Sequence, residues 1–454
     1  MKSVDYLNLN KDRFLSELFE FLRIPSVSSE PNHDADTKKC SEWLADNMKN
    51  SGLSSVKIYP TDGHSIVYGE NLSAGADKPT ILIYGHYDVQ PVDPIELWES
   101  MPFEPVIRNG KIYGRGSADD KGQVFMHIKS VESIVKSGEN LPCNIKFLIE
   151  GEEEAGSNHL DDFIINNTEL LKCDSILISD TEWFADGVPS LCYSLRGISF
   201  IELTLTGPNR DLHSGTFGGA VDNPIIVLSK MIASLRDDYG RITIPGFYDD
   251  VLELEQDERD NFKKLPFEYK DWCLDLDIKE GYGEIGYTTL ERTWARPTLD
   301  INGIYGGYTG EGAKTVLPSK ASAKLSMRLV PNQDPDDITE KITKHLLRIA
   351  PPTVKIQIKK LHGGNPVMIQ RDGKAVKSAM NALKRAYNKE AVFMREGGSI
   401  PIVNTFSQAL QSPVVLMGFG LPGDNIHSPN ESYSVDNFFG GIKTSIFFID
   451  EFSK

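Results

Sequence analysis

Histidine and carboxylate side chains recur along this chain at one kind of place, just past a short apolar run. Residues 81–84 lead into Gly85-His86-Tyr87-Asp88. Residues 144–149 lead into Glu150-Gly151-Glu152-Glu153-Glu154-Ala155-Gly156. Residues 175–179 end at Asp180, and residues 413–420 feed a glycine-rich loop that carries Asp424 and His427. A further pair, Asp119-Asp120, lies between Gly114-Arg115-Gly116-Ser117-Ala118 and Lys121-Gly122. Singly, each has an ordinary reading: a helix-capping aspartate, a solvated acidic face, a structural His-x-Asp. Together, His86, Asp119, one glutamate of the Glu153/Glu154 pair, Asp180 and His427 supply two imidazoles and three carboxylates. Such a set, with one carboxylate bridging, can hold two divalent ions about 3.5–4 Å apart. Mixed nitrogen and oxygen donors suit zinc, with manganese or cobalt as alternatives. Asp88, two residues past His86, is placed to orient the imidazole by hydrogen bonding.

The elements that must position these groups follow from apolar periodicity. The runs before His86, Glu150, Asp180 and the His427 loop read as buried strands, and ligands of open α/β sheets gather at strand ends. Residues 11–23 and 36–50 read as helices, the first with Phe14, Leu18, Phe21 and Leu22 on one face. Strands are expected at 55–59 and near 65–68. After Asp119, Val124, Phe125, Ile128, Val131, Ile134 and Val135 recur at helical spacing, with His127 near the apolar face as a core histidine. A different pattern occupies residues 197–361. It comprises a strand at 199–206, a helix at 223–235 capped by Asn223 with Pro224 at its first position, strands at 298–304 and 321–330, a helix at 336–349 and a strand at 354–358. That order, β-α-β-β-α-β, is the ferredoxin-like split unit. The expected organisation is an α/β domain with a mixed sheet and helices on both faces, in two parts (1–196 and 362–454), interrupted by a ferredoxin-like α+β domain (197–361). Residues 237–297, acidic and aromatic, fit no element of that scheme.

Composition narrows the function. The 454 residues exceed one ordinary core, and 40% apolar with 25% charged content is globular. A net charge of −17 without a basic patch argues against nucleic acid. Five widely spaced cysteines with no C-x-x-C read as free thiols of a reducing compartment. No signal-peptide core or membrane-spanning run is visible, so a cytoplasmic protein is expected. Gly310-Glu311-Gly312-Ala313-Lys314-Thr315 misses the phosphate-loop pattern, because Ala313 separates glycine from lysine. There is no Gly-x-Ser-x-Gly elbow and no His-Glu-x-x-His helix. Ser399, within Arg395-Glu396-Gly397-Gly398-Ser399-Ile400-Pro401, lacks a paired base, so this turn reads as an anion or substrate contact.

These motifs, joined by Leu212-His213-Ser214-Gly215 and Gly312-Ala313-Lys314-Thr315-Val316-Leu317-Pro318, resemble the dinuclear-zinc exopeptidase and deacylase family that includes carboxypeptidase G, aminoacylase and carnosinase. The resemblance covers nearly the whole chain and is strongest to the carnosinase-like cytosolic non-specific dipeptidases. It implies two zinc ions, with His86 and Asp180 on one, Glu154 and His427 on the other, and Asp119 bridging. It implies that Asp88 hydrogen-bonds His86 and that Glu153 is the general base. It also implies an inserted lid through which a homodimer forms, His213 reaching the partner subunit's site, and Thr315, Arg328, His362 and Ser399 among the substrate-binding residues. The expected reaction is hydrolysis of dipeptides or very short peptides by a metal-activated water. The competing enzyme reading is an N-acetyl or N-succinyl amino acid deacylase with the same metals and base. A non-catalytic peptide-binding protein would be expected to have lost Glu153 or a ligand, and all are present.

Overall fold

The apolar runs become neighbours in one sheet. The computed structural model describes residues 1–454. In it the strands Ser55–Tyr59, Ile66–Asn71, Asn144–Glu150, Thr80–His86, Ser175–Ile178, Val414–Leu416 and Ser190–Leu195 lie side by side in that order. Thr80–His86 runs parallel to both of its neighbours, and Val414–Leu416 runs parallel to Ser175–Ile178. Four adjacent strands therefore point the same way, and their C-terminal ends share one edge of the sheet. The flanking pairs are antiparallel, so the sheet is mixed.

Strand periodicity of two divides the apolar side chains between the faces. Ile81, Ile83, Phe147, Ile149, Leu177 and Val415 pack with Phe21, Met48, Phe125, Ile128, Ile442 and Phe448. That face is covered by the helices Lys11–Leu22, Asp34–Asn50, Lys121–Lys136 and Val435–Phe452. On the other face Tyr84 meets Phe406 of the helix Ile402–Leu410, ring centroids 5.1 Å apart. Thr405 of that helix donates to Asp161 of the helix Leu160–Asn166. Burying each large aliphatic side chain contributes about 1.5–3 kcal/mol, so a strand covered on both faces is strongly held in register.

Most predicted helices lie within a residue or two of their expected bounds. Periodicity does not foretell Lys2–Leu9, which buries only Ser3 and Leu7. Its first amides are satisfied from afar, by the carboxylate of Glu139 at 3.1 and 2.9 Å. His127 is a neutral core histidine. Its ring nitrogens face the hydroxyls of Ser179 and Ser445 at 2.7 and 3.0 Å. Burial pulls its pKa down to about 3.

The chain separates into two units. The sheet above belongs to the first, made of Met1–Tyr193, Ile369–Met394 and Ile402–Lys454. The second is Ser194–Met368 with Arg395–Pro401, against the expected span of 197–361. It has the antiparallel sheet order Thr298–Gly306, Lys320–Leu329, Gly197–Thr206, Lys355–Gly364, the ferredoxin-like order. Ile201, Leu203, Leu205, Leu325 and Met327 face the core formed with Val227, Leu228, Ile338 and Ile342. Asn223 accepts from the Ile225 amide at 2.9 Å and Asp334 from two amides, capping the two helices.

Residues 237–297 belong to this unit. Ile242, Ile244 and Phe247 join its core, and the segment carries the helices Gln256–Lys263, Tyr269–Asp275 and Thr289–Trp294. Buried Glu258 accepts from Arg395 Nε at 2.9 Å. Such a pairing explains why residues 395–401 associate with this unit. No helix of the chain is long and apolar enough to cross a membrane. All five cysteines are free.

Candidate metal centre

The C-terminal edge of the parallel strands gathers the predicted ligands. His86 is the last residue of its strand and fully buried. Asp180 follows Ser175–Ile178 by two residues, and Glu153 and Glu154 form a short turn three residues past Asn144–Glu150. His427 comes from the loop after Val414–Leu416. Its backbone is left-handed (φ 59°), a conformation few non-glycine residues adopt unless their surroundings enforce it. Asp119 comes from the turn before the helix Lys121–Lys136.

Ligand atoms of His86, Asp119 and Asp180 all lie within 4.8 Å of one another, and so do those of Asp119, Glu154 and His427. Asp119 is common to both groups. Its Oδ1 faces His86 Nε2 at 3.0 Å and its Oδ2 faces His427 Nε2 at 2.9 Å. His427 Nε2 is also 3.3 Å from Glu154 Oε2. A carboxylate whose two oxygens face different imidazoles has the geometry of a bridge. Of the Glu153/Glu154 pair, only Glu154 belongs to a ligand group; Glu153 stands beside them.

Electrostatics give the same picture. Four carboxylates, Asp119, Glu153, Glu154 and Asp180, are gathered around two imidazoles. Burial and the Asp119 charge push Glu154 up to about 10 and Asp180 up to about 6. Burial also lifts Glu153 well above the usual carboxylate range; His86 draws it down and the charges of Asp180 and Asp119 add to the rise. Burial acts on Asp119 in the same sense, but hydrogen bonds from His427 and His86 bring it below the usual range. The cluster is short of positive charge, and divalent cations would supply it. The donor set of imidazole nitrogens and carboxylate oxygens fits such ions.

Supporting groups fix these ligands. His86 Nδ1 lies 3.1 Å from the carbonyl oxygen of Asp88 and 3.3 Å from its carboxylate. That carboxylate accepts from the Glu153 and Glu154 amides at 3.2 and 3.0 Å and from the Ser28 hydroxyl at 2.6 Å. Asp88 thus faces His86 through both its carbonyl and its carboxylate, and the carboxylate also holds the glutamate turn.

Two contributors, Gln90 and Glu431, were not singled out by sequence reasoning, and Asp424 was noted there only as a companion of His427 on its loop. Gln90 donates to Glu154 Oε2 at 2.7 Å. Asp424 accepts from Lys111 at 2.9 Å and from the Leu421 amide at 2.8 Å, pinning the loop before His427. Glu431, fully buried, accepts from Arg115 Nη1, Gly116 N and Ala118 N, each at 2.9 Å, and from Asp119 N at 3.2 Å. Its only sequence signal is an acidic residue four positions past His427.

The residues expected to contact substrate lie in the second unit, two pairs of them as neighbours. His213 and Thr315 are neighbours: Leu212–His213 pairs with Val316–Leu317, and Ser214 N donates to Thr315 O at 3.0 Å. His213 Nδ1 accepts from Gly215 N at 3.1 Å, so the neutral ring carries its proton on Nε2, available as a donor. Arg328 Nη1 donates to Ser399 Oγ at 2.9 Å, and Ser399 donates to the carbonyl of Arg196. His362, on Lys355–Gly364, is exposed.

Comparison with known proteins gives related matches by sequence and by structure. The model of peptidase family M20/M25/M40 matches residues 82–451. The Cys-Gly metallodipeptidase dug1 of Schizosaccharomyces pombe is 33% identical, over 100% of this chain and 98% of its own length. Among solved structures, human carnosine dipeptidase 1 superposes with a TM-score of 0.84 at 31% identity, covering 100% of this chain and 98% of its own. The M20 family metallo-carboxypeptidase Sso-CP2 of Sulfolobus solfataricus gives 0.85 at 34% identity, covering 97% and 99%.

Proposed function

The chain belongs to peptidase family M20/M25/M40, and from that premise we propose how its residues carry out metal-dependent dipeptide hydrolysis. It is a metallopeptidase, and its relatives named as dipeptidases favour peptide bonds over the N-acyl deacylase reading. His86 and Asp180 would hold one divalent ion and Glu154 and His427 a second, with Asp119 shared between the two groups; zinc suits these donors, with manganese or cobalt as alternatives. One observation carries this assignment: the two Asp119 oxygens face different imidazoles at 3.0 and 2.9 Å.

Ions held there would supply Lewis acidity, polarising the peptide carbonyl and making a bound water more acidic. Glu153 takes the proton from the attacking water and returns it to the leaving amine. Its buried place beside the ligands, with its amide tied to Asp88 at 3.2 Å, supports that role. His213 donates Nε2–H to the developing oxyanion, an interaction stronger in the transition state than in the ground state. Arg328, steadied by Ser399, receives the free carboxylate of the substrate through its planar fork. Thr315 and His362 complete the substrate contacts.

The second unit also supplies a homodimer interface in this reading. Ile304 and Tyr305, exposed on the edge strand Thr298–Gly306, support it. The five free cysteines support a cytoplasmic setting.

The test is dialysis against a strong chelator, followed by separate re-addition of zinc and manganese. Activity is then assayed on a dipeptide panel alongside N-acetyl and N-succinyl amino acids. Activity should vanish and return with metal, on the dipeptides. Full activity of the metal-free protein refutes metal catalysis, and a preference for the acylated amino acids restores the deacylase reading.

A further inference from the structure

A cavity of about 480 Å³ opens in the second unit, on the polar face of its sheet. Asp300, Ser326 and Arg328 line it, the last two alternating along their strand with Leu325 and Met327, which face the core. Arg196, Arg236, Arg292 and Arg296 also line it, so five guanidiniums meet only two carboxylates, Glu284 and Asp300. In a chain of net charge −17 this is a local reversal of sign.

The partners can be assigned one by one. Glu284 is taken up by Arg296, whose Nε and Nη2 donate to it at 2.8 and 2.9 Å. Asp300 accepts from Arg236 at 3.0 Å. The other three arginines donate to neutral oxygens. Arg328 reaches Ser399 Oγ at 2.9 Å, Arg196 Nε reaches Gly397 O at 3.1 Å, and Arg292 Nε reaches Glu284 O at 2.9 Å. Arg196 Nη1 is buried and has no hydrogen-bond partner. Burial, with repulsion from Arg328, lowers Arg196 to about 10, and Asp300 offsets this only in part. Arg328 is lowered in turn by burial. Three guanidiniums that have no carboxylate of their own to bond, only the nearby charge of Asp300, and that keep unused donors form a site for more than one anionic group. The volume lies in the range of small-molecule sites.

We propose that this cavity receives the C-terminal residue of the substrate and favours an acidic one. The α-carboxylate pairs with Arg328, and a side-chain carboxylate pairs with Arg196 and Arg292. The inference rests on the dipeptidase reading, in which Arg328 receives the free carboxylate, and it adds Arg196 and Arg292 as determinants of specificity.

The test compares Ala-Glu with Ala-Gln, which differ in side-chain charge and hardly in size. For the metal-loaded native enzyme at low salt, kcat/KM should favour Ala-Glu by about tenfold or more, the worth of one good charge-assisted contact. The preference should lie mainly in KM and shrink as salt is raised. Arg292→Met and Arg196→Met should each bring the Ala-Glu to Ala-Gln ratio toward one. Arg292→Met and the native enzyme's own ratio decide the matter if Arg196→Met, which loses its bond to Gly397, does not fold. Free glutamate should inhibit less well than Ala-Glu binds, which separates a peptide terminus from a free dicarboxylate as the ligand. Equal or faster turnover of Ala-Gln by the native enzyme overturns the inference and leaves the dipeptidase reading standing. Turnover of neither peptide overturns both.

Discussion

Replacing Glu431 by glutamine would test whether the candidate metal centre depends on a carboxylate that belongs to neither ligand group. Glu431 Oε2 accepts from Arg115 Nη1 and Gly116 N, and Oε1 from Ala118 N and Asp119 N. Glutamine keeps one acceptor oxygen and puts an NH2 donor where the other stood. Either orientation leaves two donors facing a donor. If the amide oxygen stays with Ala118 and Asp119, Arg115 loses its carboxylate while fully buried, keeping only its bond to Pro91 O at 2.9 Å. Breaking a buried ion pair from one side costs about 3–5 kcal/mol, and an unsatisfied buried amide about 1–3 kcal/mol. Relaxation would absorb part of this, so a loss of about 3–5 kcal/mol is expected for Glu431→Gln. Urea unfolding of the metal-free protein, extrapolated linearly, reads this directly. The same turn delivers Asp119, so metal affinity measured by chelator competition should weaken about 10–100-fold, as for other groups that orient ligands. Stability within about 1 kcal/mol of the parent, with unchanged metal affinity, would refute the reasoning.

Other expectations follow from the same geometry. Glu153→Gln should lower kcat by about 10²–10⁴-fold while both ions remain bound; metal analysis showing a lost ion would make Glu153 a ligand instead. His213→Ala should lower kcat by about 10²–10³-fold, as for removal of an oxyanion donor, and an unchanged rate would remove His213 from the mechanism. His127 titrates near 3 when folded against an ordinary value of 6.5. The unfolded chain therefore takes up this proton first as pH falls, and stability is lost across that window. Relative to His127→Asn, the native protein should lose about 2 kcal/mol between pH 6.5 and 5, at about 1.4 kcal/mol per unit; parallel pH–stability curves would contradict this.

The strands around the metal centre are legible in the sequence because both their signals are local. An apolar run marks a buried strand, and the residue that follows it lies at the sheet's edge. Parallel pairing then brings the four ends together, so His86 and Asp180 could be grouped although 94 positions separate them in sequence. The ferredoxin-like unit is legible for a related reason, since 321–330 alternates strictly and Asn223, followed by Pro224, marks a helix start. Glu431 escapes notice because its function lies in long-range hydrogen bonds to residues 115–119, which leave no periodic trace. The same holds for the Asp88 carboxylate, whose proximity to His86 in sequence points to the ring more than to the Glu153 and Glu154 amides that it accepts from. Residues 237–297 are obscure because their buried apolar residues, among them Ile242, Phe247, Phe262, Cys273 and Trp294, are scattered, and the helices Gln256–Lys263 and Tyr269–Asp275 are too short to show a period.

The strand Val414–Leu416 lies between Ser175–Ile178 and Ser190–Leu195. It is an interior strand supplied by the last tenth of the chain. As the protein leaves the ribosome, its neighbours are made first, and all of Ser194–Met368 is made before the strand that joins them. At about 5–20 residues per second, the ~220 intervening residues hold that slot open for on the order of 10–40 s. During that interval two strand edges stand unpaired, the state in which sheets recruit the wrong partner. A chain cut short before residue 414 would therefore carry a permanent gap through the middle of its sheet. Premature termination late in the message would thus yield an aggregation-prone product in place of a slightly shortened enzyme.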